Sequence, residues 1–164
     1  QGRVYARISR AAVPDVYDAS HKPEIGRGTV LREGKDVTML GTGSLTVRCL
    51  LAAEQLRNEG IEAGVIGMWS IKPLDGGLLL HAARTTGALV TAEDHSIVGG
   101  FGSAVAEALA CTLPSPLEMV GLNDTFAETG PDPDTLMDAV GMSVEDIVRA
   151  ARKAAGRKET GVKF

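Results

Sequence analysis

Glu93, Asp94 and His95 stand side by side, two carboxylic acids and an imidazole in consecutive positions. Such a set can move a proton as general acid and base, and it can equally cap the helix that follows. Just downstream, Ile97–Glu107 reads IVGGFGSAVAE, a glycine-rich turn opening a helical pattern. Backbone N–H groups in such a turn can receive an anion. However, Gly100-Phe101-Gly102-Ser103-Ala104-Val105 lacks the third glycine of a dinucleotide fingerprint, and the chain has no Gly-Lys-Ser/Thr phosphate loop. The glycines therefore read first as backbone freedom for tight packing. A later polar stretch, Asp124-Thr125-Phe126-Ala127-Glu128-Thr129-Gly130, offers oxygen ligands but no spaced partners, and reads as a loop. His21, His81 and His95 show no metal-ligand spacing, and no Ser or Cys occupies a nucleophile elbow. Near the start, Arg3, Arg7 and Arg10 do not share one face of a strand. Arg10 closes that run, where strand gives way to loop, and its guanidinium suits bidentate contact with a phosphate or carboxylate.

These groups need elements to position them. Lys35–Gly41 is a β-type run, and Thr42-Gly43-Ser44 supplies a turn with Ser44 as a helix N-cap. Leu45, Cys49, Ala52, Ala53 and Leu56 recur at helical spacing, and Gly60 ends that helix. Glu62–Met68 reads as a buried strand, and Lys72-Pro73-Leu74-Asp75 leads into a helix running through Arg84 to Gly87. Ala88–Glu93 is a third strand, Ser103–Thr112 a helix and Leu117–Leu122 a fourth strand. Asp134–Val140 and Val144–Ala155 close the chain as helices, the second opened by the capping box Ser143–Asp146. Strands alternating with helices predict a three-layer α/β/α fold around a mainly parallel sheet. Thr29–Gly34 reads as an edge strand hairpinned antiparallel onto Asp36–Leu40. Val4–Ser9 alternates like a strand but has no helix after it, and the stretch with Pro14 and Pro23 reads as a linker. The domain proper then begins near Ile25, and Gln1 is expected to lie inside a longer gene product.

With 164 residues, 44% apolar and 23% charged, the chain suits one folded domain with a short extension. No apolar run nears the ~20 residues of a membrane span. The net charge of −4 divides into +3 over residues 1–35, −12 over 36–148 and +5 over 149–164. An acidic body argues against nucleic acid and anionic membrane as partners. The basic end reads as a helix terminus whose cations oppose the macrodipole. Cys49 and Cys111 read as small buried hydrophobes, consistent with a reducing cytoplasm. Trp69 follows a strand end, and a packing role is expected of it.

The segments VYARISRAAVP, REGKDVTMLGTGSL, GVIGMWSIKPLD, TAEDHSIVGGFGSAVAE and GLNDTFAETG, in that order, resemble the C-terminal region of transketolase-like thiamine-diphosphate enzymes. That family includes transketolase and its split forms, 1-deoxyxylulose-5-phosphate synthase and the β subunits of 2-oxoacid dehydrogenases. The resemblance is greatest to the C-terminal half of a split or short bacterial transketolase. It implies a five-stranded mixed sheet with one antiparallel edge strand over residues 25–164, residues 1–24 being the end of a pyrimidine-binding domain and its linker. Thiamine diphosphate and Mg²⁺ would be held by upstream pyrophosphate- and pyrimidine-binding domains or a subunit, in a homodimer acting on sugar phosphates. The chain alone would be inactive, with no catalytic, cofactor or metal residue of its own. The family's substrate-phosphate arginine falls on Arg10, although Ala11-Ala12 stand where transketolases often continue with Gln-Asn. Two rival readings are a docking domain of a dehydrogenase β subunit and a flavin or nucleotide binder using the crevice between Thr42–Ser44 and Glu93–His95.

Overall fold

The computed structural model describes residues 2–6, 12–126 and 129–159. Ten elements follow one another: β1 (Gly28–Arg32), β2 (Val37–Gly41), α1 (Leu45–Asn58), β3 (Ala63–Met68), α2 (Gly76–Thr86), β4 (Leu89–Ser96), α3 (Phe101–Ala110), β5 (Leu117–Leu122), α4 (Pro133–Ala139) and α5 (Val144–Glu159). The sheet order is β1-β3-β2-β4-β5, with β1 antiparallel to β3 and every other pair parallel. This is the mainly parallel α/β sheet with one antiparallel edge strand that the sequence leads one to expect.

Side chains alternate across the central strands, so the sheet carries a core on each face. Val37, Met39, Val65 and Val90 pack beneath α1 and α5. Leu40, Ile66, Leu89 and Phe101 pack with α2 and α3 on the other face. No helix among the described residues is long and apolar enough to cross a membrane.

The predicted hairpin between the first two strands does not form. β2 is buried along its whole length and takes β3 on one side and β4 on the other, which leaves it no free edge for β1. The connection instead crosses the start of β3, where the Lys35 and Asp36 N–H groups both donate to the Glu62 carbonyl at 3.0 Å. Gly34 lies so close to the backbone of Ala63 and Gly64 there that a Cβ would collide with it. Residues 2–6 form no strand, and Arg7–Ser9 lie outside the described residues.

Helix ends follow their local chemistry, with one exception. Gly87 takes a left-handed φ of 67° after α2, and Gly60 one of 81° beyond α1. Ser44, expected to cap α1, makes no side-chain cap hydrogen bond; its own dihedrals (−62°, −27°) are already helical, whereas a capping Ser needs extended backbone. The box at α5 does form. Asp146 N–H donates to Ser143 Oγ at 3.1 Å, and the Ser143 N–H and hydroxyl donate to Asp146 Oδ2 at 3.0 and 2.6 Å.

Partial burial pushes the Asp146 carboxyl up, but those Ser143 bonds and the neighbouring Arg149 outweigh it and hold the pKa below the usual carboxylate range. A carboxyl depressed on folding adds stability above its unfolded pKa, about 3.9, and loses it as the pH falls through the folded value. Ser143→Ala should therefore cost about 1 kcal/mol at pH 7. In melts recorded near pH 3 the gap to wild type should narrow.

Lys153, Arg157 and Lys158 of the basic end are consumed by the fold. Lys153 and Arg157 reach Glu118 at 2.9 and 2.8 Å, and Lys158 Nζ donates to the carbonyls of Thr86 (2.9 Å) and Asp36 (3.2 Å). On the same face, α1 contributes the nearly buried Arg48. Its Nη2 meets Asp134 at 2.9 Å, and its Nη1 meets Asp138 and the Met142 carbonyl, fastening α4 and the start of α5 over α1. Burial opposes the Arg48 charge, but the two carboxylates prevail and raise its pKa.

Candidate functional site

Parallel strands present functional groups at their C-terminal ends. Here that end gathers the last turn of β4, the glycine-rich turn before α3, the Asp124 loop, and the junction of β3 with Trp69. β4 runs past Glu93 to Ser96.

Glu93 does not face solvent with its neighbours. Its side chain is 1% exposed. Its carboxylate accepts the Phe101 N–H at 2.6 Å and the Gly102 N–H at 2.7 Å, the first amides of α3. Of the two roles open in the sequence, this is the capping one, made from eight residues upstream. The carboxylate also decides the fate of the glycine-rich turn. The anion at this helix N-terminus is the protein's own, and the Gly99 N–H is taken by Ser103 Oγ at 2.9 Å. A nucleotide diphosphate would have to displace Glu93, so the crevice reading loses its anchor. Gly100 is required because a Cβ would strike the Glu93 carboxylate and the Ser96 carbonyl. Asp94 and His95 are exposed. His95 Nδ1 lies 3.1 Å from the Ser96 carbonyl. Asp94 borders a cavity of about 320 Å³ with Leu122, Asp132 and Met137.

Asp124 holds a left-handed φ of 48°, and Phe126 is exposed. Glu128 and Arg10 lie outside the described residues. His81 is exposed on α2. Cys49 is buried, and burial pushes its thiol up to about 12. Cys111 corrects the expectation, since it caps the end of α3 and is exposed. Among the described residues no group of three or more His, Cys, Asp or Glu comes together to hold a metal. With the α3 amides also filled, these residues do not fit a diphosphate and its cation.

Three residues gain a role that spacing did not reveal. Tyr17 and His21, from the irregular stretch before β1, stack with Trp69 beyond β3. Ring centroids lie 4.1 Å apart for Tyr17–Trp69, 4.8 Å for Tyr17–His21 and 5.1 Å for His21–Trp69. Trp69 Nε1–H donates to Thr29 Oγ1 at 2.9 Å, and His21 Nε2 lies 3.4 Å from the same oxygen. The Tyr17 hydroxyl sits where a Cβ on Gly67 would be, and burial pushes its pKa up. Beside the stack, Asp75 caps α2 through Leu78 N–H (3.0 Å) and holds the start of β1 through Gly28 N–H (3.1 Å). The one signal available was aromatic scarcity, since only six of 164 residues are Phe, Trp or Tyr.

Residues 26–154 match the model of the family described as transketolase, C-terminal domain. The chain is 42% identical over 157 residues to a 6-deoxy-6-sulfo-D-fructose transketolase subunit of Clostridium sp. (strain MSTE9), covering 96% of this chain and 48% of that protein. It is 41% identical over 142 residues to a 1-deoxy-D-xylulose-5-phosphate synthase of Desulforudis audaxviator, covering 85% of this chain and 22% of the synthase. Among solved structures, a split-gene transketolase described as an inactive beta4 tetramer superposes with a TM-score of 0.87 at 48% identity, over 91% of this chain and 48% of that one. The chain thus spans about half the length of that transketolase subunit and of the split-gene transketolase.

Proposed function

The chain belongs to the transketolase C-terminal domain family, and from that premise we propose that it is the C-terminal part of a transketolase moving a two-carbon ketol unit between sugar phosphates. The observation that carries this reading is the 42% identity to a transketolase subunit, which runs over nearly the whole chain and not over the domain alone. On this reading residues 1–24 end a pyrimidine-binding domain and its linker, and 25–164 form the C-terminal domain. Thiamine diphosphate with Mg²⁺ is bound by the upstream domains or subunit of a cytoplasmic homodimer, where the cofactor supplies carbanion stabilisation. This chain's share is to complete the assembly and to present Arg10 to the substrate phosphate. The synthase relative favours a second reading, part of a 1-deoxyxylulose-5-phosphate synthase.

A ketol-transfer assay with xylulose 5-phosphate, ribose 5-phosphate, Mg²⁺ and thiamine diphosphate separates these readings. The chain alone should be silent, and the chain combined with its upstream part should be active. No ketol transfer there, with 1-deoxyxylulose 5-phosphate formed once pyruvate and glyceraldehyde 3-phosphate are supplied as donor and acceptor, would select the second reading. Turnover by the chain alone would refute both placements of the cofactor machinery.

A further inference from the structure

We propose that the groove between the first half of α1 and the start of α5 is the face on which the upstream domain docks, and that the docking face of that domain is apolar at its centre with cations at its rim. The proposal rests on the transketolase reading above, which puts the end of that domain and its linker in residues 1–24.

The groove is a cavity of about 480 Å³ on the outer side of α1. α1 buries Leu45, Cys49, Ala52 and Leu56, yet its outer side carries Val47 and Leu51, one turn apart. Farther along the same side stand Gln55 and Asn58, polar as an outer face should be. The apolar stretch is thus confined to the half of the helix that follows the C-terminal end of β2. Leu51 is 52% exposed. Val144, at the start of α5, lines the other wall. Asp134, Asp138 and Glu145 stand round these apolar groups, all three exposed, against the single guanidinium of Arg48. Three carboxylates less one cation leave an excess of two negative charges. An apolar centre inside a charged rim is the anatomy of a protein–protein contact, and this rim calls for cations opposite it.

The linker identifies the occupant. It is seated on this end of the domain twice: Tyr17 and His21 stack on Trp69, and before them Val13 and Pro14 line the groove itself. Towards its N-terminus the chain therefore leaves from the groove and not from the aromatic stack. Ala6 lies seven positions before Val13, a span of at most about 25 Å. Next to it Val4 and Tyr5 are 89% and 88% exposed, apolar side chains that have no cover among the described residues. On the transketolase reading they belong to the upstream domain, which then lies a short linker away from the groove. A surface so close is filled by its own chain before any free partner, because a short linker holds the effective concentration near the millimolar range.

The test places a probe thiol in the complete protein, at Leu51→Cys in the groove or at Asn58→Cys on the far end of the same helix. Alkylation by iodoacetamide is followed by peptide mapping. Both positions are exposed in this chain. Under a docked domain the Leu51→Cys thiol reacts only when the domain opens, and closure by about 1.4 kcal/mol already slows it about tenfold relative to Asn58→Cys. Adding Glu145→Lys should speed the Leu51→Cys reaction about two- to fivefold, the reach of one exposed ion pair. Equal rates at the two positions would overturn the proposal. Slow labelling that Glu145→Lys leaves unchanged would overturn the cationic rim and with it the partner face proposed. Slow labelling that recovers when dilution separates the copies would give the groove to a second copy, which overturns the proposal as well. Where Leu51→Cys does not fold, Glu145→Cys, at an exposed position on the opposite wall, carries the coverage measurement. None of these readouts needs turnover. Slow labelling in a protein without ketol transfer supports the docking face and sinks the transketolase reading, whereas turnover with equal rates sinks the docking face alone.

Discussion

Glu93→Ala should lower the melting temperature of the chain by roughly 10 °C. The carboxylate is buried, and both oxygens serve α3 at 2.6 and 2.7 Å. Truncation strips two amides of their acceptor in a place water does not reach, and each unsatisfied group costs about 1–3 kcal/mol. A total near 4 kcal/mol, at about 2–4 °C per kcal/mol for a domain of this size, gives that figure. Glu93→Gln keeps the shape but turns an NH₂ group towards one of the amides, so it should fall between wild type and Ala. Asp94→Ala and His95→Ala, both at exposed positions, should stay within about 0.5 kcal/mol of wild type. Differential scanning calorimetry across the four variants checks the order. A Glu93→Gln protein that melts like wild type but loses all turnover would mean that this carboxylate does chemistry and not capping.

The contrast between Glu93 and its neighbours also marks how far the sequence can be read. Period-two and helical patterns locate the strands and helices because burial leaves its mark at fixed spacing. The capping box at Ser143 and the glycine stops at Gly60 and Gly87 are local rules written in adjacent residues. The antiparallel edge strand is legible as an edge, but its partner is not. Pairing β1 with β3 depends on where β2 can be buried, which is a property of the whole sheet. Ser44 fails as a cap although its type is right, because the backbone there is already helical.

At the site the same division holds. Glu93-Asp94-His95 reads as one cluster in sequence, yet β4 is buried on both faces as far as Glu93 and leaves the core just beyond it, so Glu93 stays inside and the next two stand exposed. Asp75 looks like an ordinary helix cap, and its second bond, to Gly28 N–H, spans 47 residues. Arg48 and the Tyr17–His21–Trp69 stack join distant segments in the same way. Long-range ties of this kind carry no spacing signal. Arg10 is the reverse case: family resemblance reaches it, while it lies outside the described residues.

If the chain is part of a transketolase as proposed, Arg10→Ala in the complete enzyme should raise KM for phosphorylated acceptors about 10- to 100-fold. A guanidinium holds a phosphate through paired charged hydrogen bonds, and a hydrogen bond to a charged group contributes about 1.5–3 kcal/mol. At 1.36 kcal/mol per decade, that range becomes the stated factor. The phosphate is remote from the carbons that exchange partners, so the interaction is as strong in the ground state as in the transition state. Its loss should therefore appear in KM with kcat little changed. Arg10→Lys keeps the charge but loses the fork, and should recover only part of the affinity. Acceptors without a phosphate have nothing to lose, and their KM should move less than twofold. Steady-state kinetics on a matched pair of acceptors reads both numbers in one experiment. Equal losses on the two acceptors would place Arg10 in the architecture of the enzyme and leave the phosphate to some other cation.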